Sequence, residues 1–212
     1  FKNNGVFSAS VYRKDIKDYI SGSVNSGETV PNTPDNGYEG LYGGYTIFRP
    51  RNIGGAKVDG YELSYNQRLT FLPGVLRGIS VRANYTRLKT EGEFAGTTVL
   101  TGSAIANFIP KAYNLALLYS YKNFGASFDV NHTSSYPVTN ASTASPGLNA
   151  WAKSLTTMNA GVTYRVRPQS TVFLTVTNLT EDGREHYTYI PERPRQLLIA
   201  PTAIKLGISG QF

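Results

Sequence analysis

Two histidines limit what this chain could do by breaking bonds. His132-Thr-Ser134 places an imidazole and a hydroxyl two residues apart, so on an extended strand both project from the same face. A serine nucleophile needs a base in contact and a third group to orient that base. No third member is visible, and no catalytic residue is expected. His186 shares its segment with Asp182, Glu185 and Glu192, a donor set that could hold a metal only if the chain made it converge. Solvated charges are the simpler reading, so neither metal nor cofactor is expected. Cysteine is absent, which removes disulfides and thiolate metal sites. Gly207-Ile-Ser-Gly210 lies in an alternating segment, not at the strand-to-helix turn that a phosphate cradle requires.

Binding chemistry is better represented. Arg184, His186, Tyr187, Tyr189, Arg193 and Arg195 fall within one short segment; Tyr38, Tyr42, Tyr45, Arg49 and Arg51 make a second cluster, and Trp151 stands in a third. Arginine pairs with carboxylate or phosphate, while tyrosine and tryptophan offer flat apolar faces with a polar handle. Tyr42, Tyr45, Arg49, Trp151, Arg184, His186, Tyr187, Tyr189, Arg193 and Arg195 are therefore the candidate ligand contacts. Loop packing and contact with anionic lipid is the plainer reading of the same residues. The net charge of +7 comes from 21 Lys and Arg against 14 Asp and Glu, scattered along the chain. The aromatics and the basic residues are expected on opposite strand faces, which denies them the shared platform that nucleic acid needs.

The elements that must position these residues follow a period of two. Ile79, Val81, Ala83 and Tyr85 alternate with Ser80, Arg82, Asn84 and Thr86, which is the signature of a strand with one apolar and one polar face. Similar alternation predicts eight strands, at about 5–20, 42–70, 78–90, 108–121, 124–136, 154–166, 170–181 and 197–212. The connections at 72–77, 122–123 and 167–169 are short; those at 21–41, 91–107, 137–153 and 182–196 are long. Short turns at one rim and long loops at the other describe an up-and-down barrel in an outer membrane. Tyr61, Tyr65, Tyr85, Tyr119, Tyr121, Phe124, Tyr136 and Tyr164 gather towards strand ends, where aromatic girdles meet the lipid–water boundary. Arg82, Asn84, Asp129, Asn131 and Arg165 are then expected to face the lumen. Ile204, Leu206, Ile208 and Phe212 mark a closing strand that ends on an aromatic, the kind of terminus a barrel-assembly machinery reads.

At this point the segments resemble a known family, the TonB-dependent outer-membrane receptors. Val11-Tyr-Arg-Lys-Asp-Ile-Lys-Asp-Tyr-Ile20 resembles the strand entering one of their long loops. Asn52-Ile-Gly-Gly-Ala-Lys-Val-Asp-Gly-Tyr-Glu-Leu63 and Ala83-Asn-Tyr-Thr86 resemble the two strands that follow. Ile109-Pro-Lys111, Thr175-Val-Thr-Asn-Leu-Thr180 and Arg193-Pro-Arg195 resemble, in order, a returning strand, a Val-x-Asn-Leu segment and the last hairpin. The resemblance covers essentially the whole chain. It implies a barrel of about 22 strands, an N-terminal plug, and TonB-powered import of a scarce ligand such as an iron–siderophore, cobalamin or oligosaccharide. The chain opens on Phe1 without a plug or TonB box, so residues 1–212 are expected to be one all-β, antiparallel transmembrane segment, the C-terminal part of such a barrel. Its partners would be TonB, the assembly machinery, outer-membrane lipid and lipopolysaccharide, and a small-molecule or glycan ligand. The alternatives are a complete eight-stranded structural or adhesive barrel, and an outer-membrane lipid hydrolase using His132 and Ser134.

Overall fold

A computed structural model describes residues 5–18, 20–52, 55–92, 105–138 and 146–210. Along these residues run β1 (Gly5–Ile16), β2 (Ile20–Thr29), β3 (Thr46–Asn52), β4 (Ala56–Arg68), β5 (Ile79–Gly92), β6 (Lys111–Tyr121) and β7 (Phe124–Thr133). The second half holds β8 (Tyr136–Pro137), β9 (Ala150–Ala152), β10 (Leu155–Arg167), β11 (Ser170–Thr177), β12 (Arg184–Thr188), β13 (Pro194–Leu198) and β14 (Ala203–Gly210). Eight of them form one antiparallel wall in the order β1-β4-β5-β6-β7-β10-β11-β14. The other six extend it: β2 pairs with β3, and β13-β12-β9-β8 make a small sheet at the long-loop end of the second half. Neighbours in the wall are neighbours along the sequence once the extensions are set aside, so the topology is up-and-down. The wall is open among the described residues, with β1 and β14 at opposite edges. A closed eight-stranded barrel would pair those two strands.

The eight alternating segments thus become the eight wall strands, with three differences. The segment 42–70 is not one strand: Thr46–Asn52 pairs back onto β2, and the wall strand starts only at Ala56. The segment 197–212 is likewise split, β13 ending at Leu198 and β14 starting at Ala203, with Pro201 between them unable to donate to a ladder. Three long connections contain paired strands of their own, where loops were expected. The expected terminus at Phe212 lies outside the described residues; Ile204, Leu206 and Ile208 of β14 are 71%, 73% and 76% exposed on one face.

Register shows how the strands are offset across the wall. One cross-strand row of register partners runs Gly5–Gln67–Val81–Leu117–Phe128–Ala160–Val176–Ile204. Ile204 is the last apolar residue of β14 towards the long loops, whereas β1 stays apolar on this face for six more residues, to Val11. The apolar boundary therefore climbs about 20 Å along the strands while crossing about 34 Å of sheet. That slope, about 30°, is close to the strand tilt of a membrane barrel. On β6 the apolar face extends from Tyr113 to Tyr121, eight steps of about 3.4 Å or about 27 Å, which matches an outer-membrane apolar band. Tyr85, Tyr113 and His132 share a row at its upper limit; Tyr121, Phe124 and Tyr164 share one at its lower limit.

Among the described residues the wall has no core of its own. The buried apolar residues described are Val30, Ala56, Val58, Ile105, Ala150 and Ala152, all at or beyond the long-loop end. The apolar face of a single-layer sheet is left bare, and a bare face of this size marks a surface that a membrane or a partner covers.

One expectation fails above the upper tyrosine row. Arg13, Asp59, Arg87 and Lys111 lie on the same face as Val11, Tyr61, Tyr85 and Tyr113, because each is two residues from its neighbour on the same strand. Aromatic and basic side chains are thus not confined to opposite faces.

At the other rim the turns are tight. Tyr121 pairs directly with Phe124 across Lys122-Asn123, with Lys122 at φ 51°. Gly78 ends a short 3₁₀ turn, Gly74–Gly78, where a Cβ would collide with the carbonyl oxygen of Ser120. Backbone cannot yield as a side-chain tip can, so Gly78→Ala is expected to cost about 1–3 kcal/mol. The measurement is the denaturant midpoint of the refolded barrel, and an unchanged midpoint would contradict the close approach.

Candidate functional site

The long-loop rim carries the most specifically built feature of the chain, the connection between β2 and β3. Its stem is closed by two backbone bonds, Val30 N–H to Tyr45 O and Gly44 N–H to Val30 O, both 2.9 Å. Val30 sits beneath, only 7% exposed. Asn36 organises the interior. Its Nδ2 donates to Pro31 O (3.1 Å) and Leu41 O (2.8 Å), and its Oδ1 accepts from the N–H groups of Tyr38 (2.8 Å) and Gly40 (3.1 Å). An amide has two donor hydrogens and two acceptor lone pairs, and here all four are used. The chain turns sharply around it, with Gly37, Glu39, Gly40, Tyr42 and Gly44 at φ between 56° and 82°. Glu39 and Tyr42 are not glycine, and left-handed non-glycine residues gather where function holds a backbone against its preference.

What this loop presents is aromatic. Tyr38, Tyr42 and Tyr45 are 53%, 57% and 67% exposed. Their rings meet edge to face, with centroids 6.0 Å apart for Tyr38–Tyr42 and 5.8 Å for Tyr42–Tyr45. Arg49 lies beside them, its Nη2 3.4 Å from Glu28 Oε2. An open groove of about 550 Å³, lined by Glu28, Val30, Asn36, Tyr38, Ile47 and Arg49, runs along the base. Sequence reasoning found Tyr42, Tyr45 and Arg49 but missed Asn36, whose type and spacing resemble those of any other loop asparagine.

Trp151 and the residues of the 184–195 segment are divided by their sheet. Trp151 stands between Pro137 and Tyr187 on one face of the β13-β12-β9-β8 sheet. Lys153 and Glu185 join in an ion pair of 2.8 Å, and this hydrogen bond holds the Lys153 ammonium above its ordinary pKa. His186 projects from the opposite face between Ala152 and Gln196, its Nε2 shielded and without a hydrogen-bond partner among the described residues. Tyr189 (φ 69°) and Arg193 belong to a tight turn in which the Thr188 N–H reaches Arg193 O at 2.9 Å. Arg184, Arg193 and Arg195 are exposed. The predicted residues are therefore distributed over both faces and the tip of one hairpin.

Among the described residues, Asp182, Glu185, His132 and Ser134, the side chains behind the metal and hydrolase readings, are engaged elsewhere. Glu185 is committed to Lys153, and Asp182 Oδ2 accepts the Thr156 N–H at 2.9 Å. Among the described residues no three His, Cys, Asp or Glu converge. His132 stacks on Tyr113 (4.7 Å, 18°) and its Nδ1 lies 2.8 Å from Thr156 Oγ1, while Ser134 Oγ accepts the Lys111 N–H at 3.1 Å. Imidazole and hydroxyl are thus engaged with different partners.

On the polar face of the wall, amides and one carboxylate form a ladder. Asn114 donates to Asn131; Asn131 (3.3 Å) and Asn159 (3.1 Å) donate to Asp129 Oδ1; Asn159 Oδ1 accepts the Asn178 N–H at 2.9 Å. Arg82 shares the row of Asp129 across Ala116, and Asn84 shares that of Asn131 across Asn114. Arg165 is on the same face, opposite Thr171. All five residues expected to face a lumen therefore share one face, turned away from the apolar one.

An apolar band about 27 Å tall, tilted strands and a polar opposite face describe an outer-membrane barrel wall. A family model for the TonB-dependent receptor-like β-barrel matches residues 1–179. The chain belongs to the TonB-dependent receptor β-barrel family. Its fold is similar to that of the FrpB iron transporter from Neisseria meningitidis (F3-3 variant), at 14% identity and a TM-score of 0.62. It is similar also to the outer membrane transporter YddB from Escherichia coli, at 12% identity and a TM-score of 0.60. Each alignment covers 100% of this receptor chain, but only 30% and 31% of those two chains. The receptor chain thus spans about 30% of the length of the solved transporters it matches. No curated protein sequence matches it at a significant level.

Proposed function

We propose that this chain is the C-terminal part of the barrel of a TonB-dependent receptor in a bacterial outer membrane. The receptor takes up a scarce ligand at the expense of energy delivered by TonB. The observation that carries this reading is the family match over residues 1–179 on a wall whose long-loop end holds a group of exposed tyrosines in edge-to-face contact. Binding and transport ask for recognition on loops held by a rigid scaffold. Tyr38, Tyr42 and Tyr45 would meet a ligand with flat or sugar-like faces, and Arg49 an anionic group on it. Trp151 and Tyr187, with Arg193 and Arg195 at the neighbouring tip, would supply a second contact. The polar ladder around Asp129 would line the passage or meet a plug. Iron chelates, cobalamin and oligosaccharides are the ligand classes in view, and an iron chelate is favoured by analogy with the iron transporter FrpB, whose fold is similar.

The test is growth of a receptor-deletion strain on single limiting sources of chelated iron, cobalamin and glycan. Growth should fail on one source, return with the receptor gene in trans, and fail again when TonB is removed. Unimpaired growth of the deletion strain on every source, with unchanged uptake of each labelled compound, would overturn the proposal.

A further inference from the structure

The loop that gathers the tyrosines also holds a reactive dipeptide. Asn36 is followed by Gly37. In an Asn-Gly pair the main-chain nitrogen of the glycine can attack the side-chain carbonyl of the asparagine, with no Cβ on the second residue to obstruct it. Gly37 is exposed at φ 80°, and a Cβ built on it would meet nothing within 4 Å. Among the described residues no acceptor takes the Gly37 N–H, so its proton is open to solvent. Both residues line the groove of about 550 Å³ at the base of the loop.

Asn36 is held in the shape that this reaction needs. The bond from Tyr38 N–H to Asn36 Oδ1 (2.8 Å) closes a ring that contains Cγ, Cβ, Cα and the carbonyl carbon of Asn36 and the nitrogen of Gly37. Those are the ring atoms of a succinimide, so nucleophile and target are already gathered in one turn. Gly40 N–H adds a second donor to the same oxygen at 3.1 Å. When the nitrogen attacks Cγ, Oδ1 becomes an oxyanion. Two backbone donors already in place hold an anion more strongly than the amide oxygen that precedes it. The bonds that Nδ2 donates to Pro31 O and Leu41 O survive in the tetrahedral intermediate, whose amino group keeps both hydrogens. They favour neither state, and the bonds to Oδ1 decide the sign.

We propose that Asn36-Gly37 is a self-modification site, at which the receptor converts its own loop amide into a carboxylate or an isoaspartyl linkage with water as the other reactant. The Gly37 nitrogen gives its proton to hydroxide and forms a bond to Cγ. The Cγ–Nδ2 bond then breaks, and the nitrogen leaves as ammonia with a proton from water. A further water opens the succinimide, at Cγ to leave aspartate or at the main-chain carbonyl to leave isoaspartate. Overall one water is consumed and one ammonia released, with no change of oxidation state. Either product ends the donation to Pro31 and Leu41 and puts a negative charge into the groove that Glu28 also lines. Isoaspartate also adds a methylene to the main chain, within a turn that holds Glu39 and Tyr42 at positive φ. The tyrosine group is thereby released, and the loss of ammonia makes the change one-way.

The modification does not depend on the transport reading; only its effect on ligand binding does. The experiment is peptide mapping by mass spectrometry after incubation in heavy-oxygen water. It compares the receptor refolded in detergent with a synthetic peptide of residues 31–45, which lacks the barrel that closes the stem. Heat-modifiable migration on gels reports that the receptor stays folded. Asn36 should convert at least about tenfold faster in the receptor than in the peptide, with label in the new carboxyl group and isoaspartate among the products. Conversion no faster in the receptor than in the peptide overturns the proposal. So does conversion to aspartate alone, because direct hydrolysis of the amide yields no isoaspartate. Converted receptor should also show the faster exchange at Tyr38 and Gly40 expected of Asn36→Asp, and unchanged exchange overturns the release of the tyrosines. A receptor that converts at Asn36 and takes up nothing removes the transport reading and leaves this site standing.

Discussion

Leu117→Arg should largely abolish the folded barrel, whereas Leu118→Arg, the same change one residue on, should leave it in place. Leu117 is at the centre of the β6 apolar face, four residues from both Tyr113 and Tyr121, and is 44% exposed. Its row neighbours are Val81 and Phe128. An arginine there must carry its charge to the middle of the hydrocarbon, at a cost of about 2–4 kcal/mol. Leu118 is in a row with Ser80 and Ser127 on the polar face. An arginine at that position keeps its head in water and its stem on the wall, and the expected change is no more than about 1 kcal/mol. The measurement is the amount of heat-modifiable receptor in outer-membrane fractions, with the urea midpoint of each refolded protein beside it. Equal damage from both substitutions would mean that the wall is covered on both faces, and equal tolerance that it meets no lipid. Either result would remove the assignment of faces.

The two Leu117 and Leu118 faces were legible because alternation is a local property of a strand, and it needs no partner to be read. Register is not local. That Gly5 shares a row with Ile204, and so that the strands tilt, depends on pairings the sequence does not state. The same limit explains Thr46–Asn52, which alternates well enough to continue into β4 yet pairs with β2. The break at 199–202 was readable from Pro201, because a proline inside an alternating run weakens it as a strand. The charges above the upper tyrosine row were hidden by a different cause. The alternation of β5 is clearest up to Tyr85, and following it to Arg87, Lys89 and Glu91 places those charges on the lipid-side face. Of the candidate site, residue types were readable and their grouping was not. Tyr187 and His186 are adjacent in sequence, and the pairing of β12 with β9 sends them to opposite faces.

Asn36 is where the sequence was silent and the structure is most specific, and its replacement should separate recognition from folding. Asn36→Ala removes four hydrogen bonds from the β2–β3 connection, each worth about 0.5–1.5 kcal/mol net. The loss falls on a surface loop, so the barrel's urea midpoint should stay where it is. The loop itself holds Glu39 and Tyr42 at φ of 56° and 60°, which costs of order 1 kcal/mol or more apiece unless the surroundings enforce it. Without the amide those residues relax, and the tyrosine platform disperses. Hydrogen exchange at the Tyr38 and Gly40 amides should accelerate at least tenfold, and the affinity for the ligand identified by the growth screen should fall by a factor of about 10–100. Asn36→Asp keeps the two acceptor bonds and loses the two donated ones, so it should fall between wild type and Asn36→Ala in both measurements. Replacing Tyr38, Tyr42 and Tyr45 together by Ala should reproduce the affinity loss while the Tyr38 and Gly40 positions stay protected. That pairing distinguishes a platform that must be held from a loop that merely must be present. If Asn36→Ala speeds exchange but leaves affinity intact, the tyrosines do not meet the ligand, and recognition belongs to the Trp151 and Tyr187 face instead.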